Sequence, residues 1–429
     1  MMIHRSYAST ALMQPPIRRA PRDGLGWRLP GLGFLAYSVI SIAAHLLEVR
    51  GLLAVGGMLV FLCVCIAWCR STMAVRVDKT VELVLCILLL AIFTTLCDPT
   101  HTVFQNLLKH AVVCILYIFI FSMELRPIYS TPFRTVFVMA LLFMGVVSLI
   151  VPDVGEVDDV RRMSGFFVNA NNLSLTMMTL LFLIDEQKDS RAKNAFFHAV
   201  IILFLFLSGT SGAILAYLGA MLFKCLMFVR SAGRSQRKLI IVLMSIALIV
   251  MGCLLPARLY MDVPLAKRIL TQLSLVWQEF PLAASGHELD YGRLSDVYGT
   301  SDCSGIWRIS HWRACIDVIA RANMFQMLCG HGVGASSLLL YKVPHNDYLR
   351  VLMEQGILGL AMSLLFFLIV FRRIDRRYSY CIVAVALYCF SENNMDNLLF
   401  MSIFAFFLAS AQTPSTRPRA VWGLRAQAS

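Results

Sequence analysis

The sharpest local pattern in the chain is Pro344-His345-Asn346-Asp347-Tyr348-Leu349, followed by Glu354-Gln355-Gly356-Ile357-Leu358-Gly359. Proline suits a helix start and Asn346 can cap it, so His345 is expected at or just before a helix N-terminus. Such an end offers unpaired backbone N–H groups and a partial positive charge, both suited to a phosphate. An imidazole is also a suitable proton acceptor near neutral pH. The plainer reading is a histidine that caps a helix and does nothing more. Asp347, Arg350 and Glu354 follow at spacings of three and four, so they form one stripe able to pair internally, a structural arrangement. His345 projects about 150° from the centre of that stripe, free for other work.

A second pattern is Trp307-Arg308-Ile309-Ser310-His311-Trp312-Arg313-Ala314-Cys315, continuing to Ile319. At about 100° per residue Arg308 falls with Trp312, Cys315 and Ile319, and Arg313, Asp317 and Arg321 lie on the opposite side. The latter three read as a solvated i,i+4 ladder, with Arg313 kept as a candidate substrate contact. Arg308 shares the packed face, where a guanidinium needs an anionic partner: Asp302, Glu288 or a substrate phosphate. Gly330-His331-Gly332-Val333-Gly334 allows close backbone approach, which makes Gly332 and Gly334 candidate phosphate contacts, although ordinary turn chemistry explains the motif equally well. Gly165 to Asn172 places Asn171 and Asn172 at the mouth of an apolar span, where amides need partners in the bundle or a wet cavity. Arg161 and Arg162, just before, are candidate substrate contacts or interfacial anchors. His287, His311, His331 and His345 are widely spaced, and there is no HExxH, GxSxG or P-loop pattern, so neither a metal nor a cofactor is expected.

The elements that must position these residues are set by composition. Of 429 residues, 59% are apolar and 15% charged, far from the balance of a soluble domain. Apolar runs near 31–48, 52–69, 81–97, 107–123, 133–151, 166–184, 195–209, 211–229, 238–255, 347–371, 378–391 and 396–412 predict an all-α polytopic membrane protein with about twelve transmembrane helices. The expected divisions are a tail at 1–30, nine spans over 31–255, a large, partly helical loop over 256–346, three spans over 347–412 and a tail at 413–429. The N-terminal tail is too long for an ordinary signal peptide and is expected to be retained. The net charge of +13 reflects topology before nucleic acid: with the N-terminus inside, 25 of the 38 basic residues fall on the cytoplasmic side, so both termini are expected there and the long loop outside. Ten of the 13 cysteines lie in or beside apolar runs as small fillers; Cys303, Cys315 and Cys329 fall in the loop, where two could pair in an oxidising periplasm. No internal repeat or matched pair of broken helices speaks for a secondary transporter.

In this order and spacing, Arg308-x-x-x-Trp312-Arg313-Ala314, Gly330 to Gly334, His345 to Leu349 and Glu354-x-Gly356-Ile357-Leu358-Gly359 resemble the O-antigen ligase and polysaccharide polymerase family of bacterial membrane proteins. The resemblance is specific over about 304–360. It is looser at Gly165–Asn172, at Ser208-Gly209-Thr210-Ser211-Gly212 and in the layout of spans with one large periplasmic loop. It implies an inner-membrane, metal-independent, inverting glycosyltransferase that moves a glycan from an undecaprenyl diphosphate carrier to an acceptor hydroxyl. Arg308 and the helix start would then stabilise the leaving diphosphate. His345 would be the base or orient the acceptor, or donate to the diphosphate when protonated, and Asn346 would orient the histidine or a sugar. Gly212 departs from the arginine that many members carry there. The leading reading is a polymerase of lipid-linked repeat units for exopolysaccharide, of the xanthan type, or O-antigen. Its partners would be the lipid-linked donor and acceptor, a chain-length regulator and export machinery, with no nucleic acid. The rivals are a ligase to lipid A core, a flippase or transporter of lipid-linked sugars and a structural scaffold.

Overall fold

The computed structural model describes residues 29–46, 51–71, 78–101, 103–122, 132–150, 154–157, 160–163, 167, 170–184, 189–231, 264–287, 289–299, 303–340, 342–395 and 397–412. Apart from one short antiparallel hairpin, β1 (Val154–Val157) and β2 (Val160–Met163), its regular elements are helical. The first eight helices are α1 (Leu29–Leu46), α2 (Gly51–Ser71), α3 (Lys79–Cys97), α4 (Phe104–Ser122), α5 (Pro132–Ile150), α6 (Ala170–Met178), α7 (Arg191–Ser208) and α8 (Ser211–Ser231). The long segment holds α9 (Pro264–Ala284), α10 (Tyr291–Tyr298), α11 (Ser304–Arg321), α12 (Met324–Cys329) and α13 (Ala335–Leu339). The chain closes with α14 (Asp347–Arg373), α15 (Ser379–Ser391) and α16 (Leu398–Ser410).

Among the described residues α3, α4, α7, α8 and α14 are long and apolar enough to cross a membrane, and the molecule is a multi-pass membrane protein. Eleven of the twelve expected spans coincide with helices; the ninth, 238–255, the C-terminal tail and the first 28 residues lie outside the described residues, and α1 takes up the last two positions of the expected N-terminal tail. Two expectations change. The sixth run is not one α-helix, because α6 passes into a 3₁₀ segment at Thr179–Leu183. At 13 residues each, α15 and α16 rise about 20 Å, less than the roughly 30 Å of a bilayer core. Cys303, Cys315 and Cys329 are buried; burial, with the charge of Glu354, pushes the Cys315 thiol up to about 12.

Two packing devices hold the bundle. On α8, Gly212, Ala216, Gly219 and Ala220 make a face of small residues that lets α15 approach closely. A side chain at Gly219 would overlap Leu387, and one at Gly212 would overlap Ser391. Aromatic contacts fill the remaining space: Phe182 meets Phe400, Phe404 and Phe407, and Tyr117 meets Phe121 and Phe366. A smaller, separate core of Leu275, Ala283, Leu289, Leu294, Cys303 and Ile306 ties α9 and α10 to α11.

Buried ion pairs pin one end of the bundle. Arg134, at the start of α5, pairs with Asp189 and donates to the Leu183 carbonyl; Arg373, at the end of α14, pairs with Asp78, which also caps α3. At the other end α14 is broken. Gly356 stands at φ 66°, ψ −167°, a conformation that is strained for residues with a Cβ. The break frees carbonyls, and the His331 and Gly332 N–H groups donate to those of Met353 and Glu354, each at 3.0 Å. The two backbones cross in contact: a Cβ on Gly330 would overlap Glu354, and one on Gly356 would overlap Leu328.

Candidate functional site

The expected stripe on α14 is buried, and each member is used. Arg350 Nε donates to Glu354 Oε1 at 3.2 Å, and the Ser336 hydroxyl donates to the same oxygen. Asp347, fully buried, accepts the backbone N–H groups of Asn394 at 2.7 Å and Met395 at 3.3 Å. Asn346 caps the helix through its side-chain oxygen, which accepts from the N–H groups of Tyr348 and Leu349. The N-terminal end of α14 is thereby locked to the turn that follows α15. Tyr348 reinforces the lock by donating its hydroxyl to the Ala386 carbonyl.

That turn carries Glu392, on which the other candidates converge. Glu392 is 5% exposed. Its Oε1 accepts from Arg308 Nη2 at 2.6 Å and from Asn171 Nδ2 at 2.8 Å, and its Oε2 lies 2.8 Å from His345 Nδ1. Each partner comes from a different element: Arg308 from α11, Asn171 from the start of α6 and His345 from the residues before α14. Asn171 is itself held, its Oδ1 accepting from Thr210 and its backbone carbonyl from the Tyr388 hydroxyl. The partner of Arg308 is therefore Glu392, 84 residues away; Asp302 and Glu288 lie outside the described residues. A carboxylate bridging a guanidinium and an imidazole is charge-compensated, which makes its burial tolerable.

Around this carboxylate lies an aromatic and cationic shell. Trp307 stacks on His311 with ring centres 4.7 Å apart and meets His345 edge to face at 5.6 Å. Lys342 Nζ stands 5.5 Å from the Trp307 ring centre. His311 Nε2 is 2.9 Å from the Lys342 carbonyl. Desolvation, helped by the nearby His345 and Lys342, lowers the His311 pKa below its ordinary value despite that carbonyl. Two donors on one face of α11 are left over: Arg308 Nε and Trp312 Nε1 are buried with no hydrogen-bond partner among the described residues.

In the tautomer that donates Nδ1–H to Glu392, the imidazole carries its lone pair on Nε2. The His345 side chain is 36% exposed, so this nitrogen can take a proton from an arriving hydroxyl. The Arg308 guanidinium, held by the same carboxylate, is partly exposed and carries a charge suited to an anion.

The remaining candidates stand elsewhere. Arg313 pairs with Asp317 at 2.9 Å in a half-exposed ladder. Gly332 gives its N–H to Glu354, and Gly334 lies against Val103 and Asn106, so the glycine loop is engaged in backbone crossing. The Asn172 carbonyl accepts from Thr176 within α6. Arg161 and Arg162 fall on β2, opposite Glu156 and Gly155. Glu392 is the residue that sequence reasoning missed; its one signal was a lone carboxylate at the mouth of an apolar span. Among the described residues, no three His, Cys, Asp or Glu side chains converge as a metal-binding set.

A comparison with curated proteins finds no match to the chain. Residues 196–364 match the family model described as O-Antigen ligase. The matched stretch runs from α7 into α14 and contains Arg308, Gly330 to Gly334 and His345; Asn171 and Glu392 lie on either side of it. Residues 196–364 are thus similar to the O-antigen ligase family model, the family that the motifs of α11 and the start of α14 resemble.

Proposed function

We propose that the protein is an inner-membrane glycosyltransferase that polymerises undecaprenyl-diphosphate-linked repeat units on the periplasmic face. The observation that carries this reading is the convergence on Glu392 of one arginine, one histidine and one amide from three separate elements. Such a cluster supplies both halves of a glycosyl transfer. The acceptor hydroxyl loses its proton to His345 Nε2 as its oxygen attacks the anomeric carbon. The bond from that carbon to the diphosphate oxygen breaks, and its electron pair leaves with the diphosphate. Developing charge on the leaving group is met by the partly exposed guanidinium of Arg308 and by Lys342. Attack from the face opposite the leaving group inverts the anomeric centre.

Glu392 is the positioning residue in this scheme. It fixes the imidazole tautomer and holds the guanidinium beside it. Asp347 and Asn346 act one step further out, by holding the turn and the helix start. The Gly212 position, arginine in many relatives, faces Ser391 at close contact, so Arg308 is the arginine assigned to the diphosphate here. Trp307, whose ring meets His311 and His345, would border an acceptor sugar.

The test supplies purified protein with radiolabelled lipid-linked repeat units in detergent. A polymerase lengthens the glycan and releases undecaprenyl diphosphate with no second compartment. Transfer only to an added lipid A core acceptor would replace this reading with that of a ligase. No glycan transfer to either acceptor, with flipping of the lipid-linked sugar in vesicles, would replace it with a transporter.

A further inference from the structure

Between α3, α4, α14, α15 and α16 lies a cavity of about 700 Å³, its open mouth included. Most of its wall is apolar, with Val84, Val113, Phe366, Val385, Met401 and Phe404 among the lining residues. Four lining residues, His110, Tyr117, Gln355 and Ser363, break that pattern. Tyr117 and Gln355 are each 3% exposed, and the Tyr117 hydroxyl and Gln355 Oε1 are buried without a hydrogen-bond partner among the described residues. The other end of the Gln355 amide, Nε2, meets His110 Nε2 at 3.4 Å. Exchanging the amide's oxygen and nitrogen leaves one end without a partner in either orientation. Room for this side chain comes from Gly359, where a Cβ would overlap the Cβ of Gln355.

Within a bilayer no bulk water is at hand to satisfy such groups, so leaving two of them bare is costly. Packed proteins rarely tolerate it without a reason. A hydroxyl answers either one, as donor to Gln355 Oε1 or as acceptor from Tyr117. Among the described lining residues there is no Lys, Arg, Asp or Glu, and the one ionisable base, His110, already faces the Gln355 amide, so a strongly charged headgroup would find little counter-charge there. We propose that this cavity binds a neutral long-chain lipid alcohol, with its hydroxyl at Tyr117 and Gln355 and its chain along the apolar wall. The assignment does not depend on glycan transfer, although Cys389 and Met395, on either side of Glu392 in the chain, both line the cavity.

The test photolabels the full chain in detergent with a diazirine derivative of hexadecanol and maps the labelled peptides. Label is expected on α4, α14 and α16. Unlabelled hexadecanol should compete, and hexadecane and palmitate should compete at least tenfold less well. Tyr117→Phe combined with Gln355→Leu should cut labelling about tenfold. Tyr117→Phe alone should leave the melting temperature unchanged or raised, because the deleted hydroxyl has no partner. Met401→Trp, which fills the space, should abolish labelling. Absent label, label confined to other surfaces, equal competition by hexadecane or undiminished labelling of the double variant would each overturn the proposal. So would a fall in melting temperature for Tyr117→Phe. Glycan transfer is not read in any arm, so failure here leaves the polymerase reading to its own test.

Discussion

Replacing Glu392 by glutamine changes one heavy atom, and the structure dictates which one. Oε1 is held by two donors, Arg308 Nη2 at 2.6 Å and Asn171 Nδ2 at 2.8 Å. The amide oxygen must take that place. The new NH₂ then stands where Oε2 was, 2.8 Å from His345 Nδ1. Two N–H groups cannot face each other, so the imidazole moves its proton to Nε2 and presents its lone pair to the glutamine. The nitrogen that faces the acceptor is then a donor and no longer a base. Losing the charge-assisted hydrogen bond alone costs about 1.5–3 kcal/mol, roughly tenfold to a hundredfold in rate. Losing the base as well removes a contribution of about 10²–10⁴. Glu392→Gln should therefore lower kcat by about 10²–10⁴ with a much smaller change in KM. Glu392→Asp, which keeps the charge but shortens the reach, should fall between the two. The assay is elongation of labelled lipid-linked repeat units, with thermal unfolding in detergent as a check on folding. A folded Glu392→Gln enzyme within threefold of wild type would refute the tautomer argument and the role of His345 Nε2.

Three other outcomes follow from particular contacts. Gly212→Ala places a methyl against Ser391 and should destabilise the protein by about 1–3 kcal/mol; adding Ser391→Gly should recover most of that loss in a thermal-shift assay. Gly356→Ala strains a φ of 66° and drives a methyl into the Leu328 carbonyl, so it should cost more than the roughly 1 kcal/mol of an ordinary glycine substitution, read as a lowered melting temperature. His311 has a pKa lowered mainly by desolvation, so the folded state binds its proton less readily than the unfolded state does. Its contribution to stability is complete above the unfolded value near 6.5 and is lost as pH falls through that value towards the lowered one. His311→Phe should flatten the melting-temperature profile just below about pH 6.5; an unchanged slope would assign the acid sensitivity to other groups.

Much of the site could be read in the chain because its residues sit in short, ordered motifs. His345 was placed by the proline and the capping asparagine around it, Arg308 by its position on the packed side of a helical wheel, and Asn171 by the cost of an amide at the edge of an apolar span. What escaped was the residue that joins them. Glu392 ends an apolar helix and has no motif of its own, and the fold brings it to Arg308 across 84 positions. Choosing a partner for Arg308 by nearness in sequence led to Asp302 and Glu288, because helical periodicity says which face a residue occupies and nothing about which distant turn will meet it. The glycine loop misled in a related way. Three glycines signal that a backbone must come close to something, and phosphate was one candidate; the partner turned out to be another backbone, at Glu354 and Gly356. The run at 166–184 shows the limit of hydropathy, which marks an apolar stretch but not the change from α to 3₁₀ winding within it.

The break at Gly356 also has a mechanical consequence. Because the carbonyls on the site side of the break are held by His331 and Gly332, the first two turns of α14 are fastened to the α12–α13 loop as firmly as to the rest of their own helix. A tilt of the remaining α14 within the bilayer can be absorbed at one glycine without dragging His345 along. The end of α14 that carries His345 then keeps its alignment as the bundle flexes, and the hinge that protects it lies inside the helix itself.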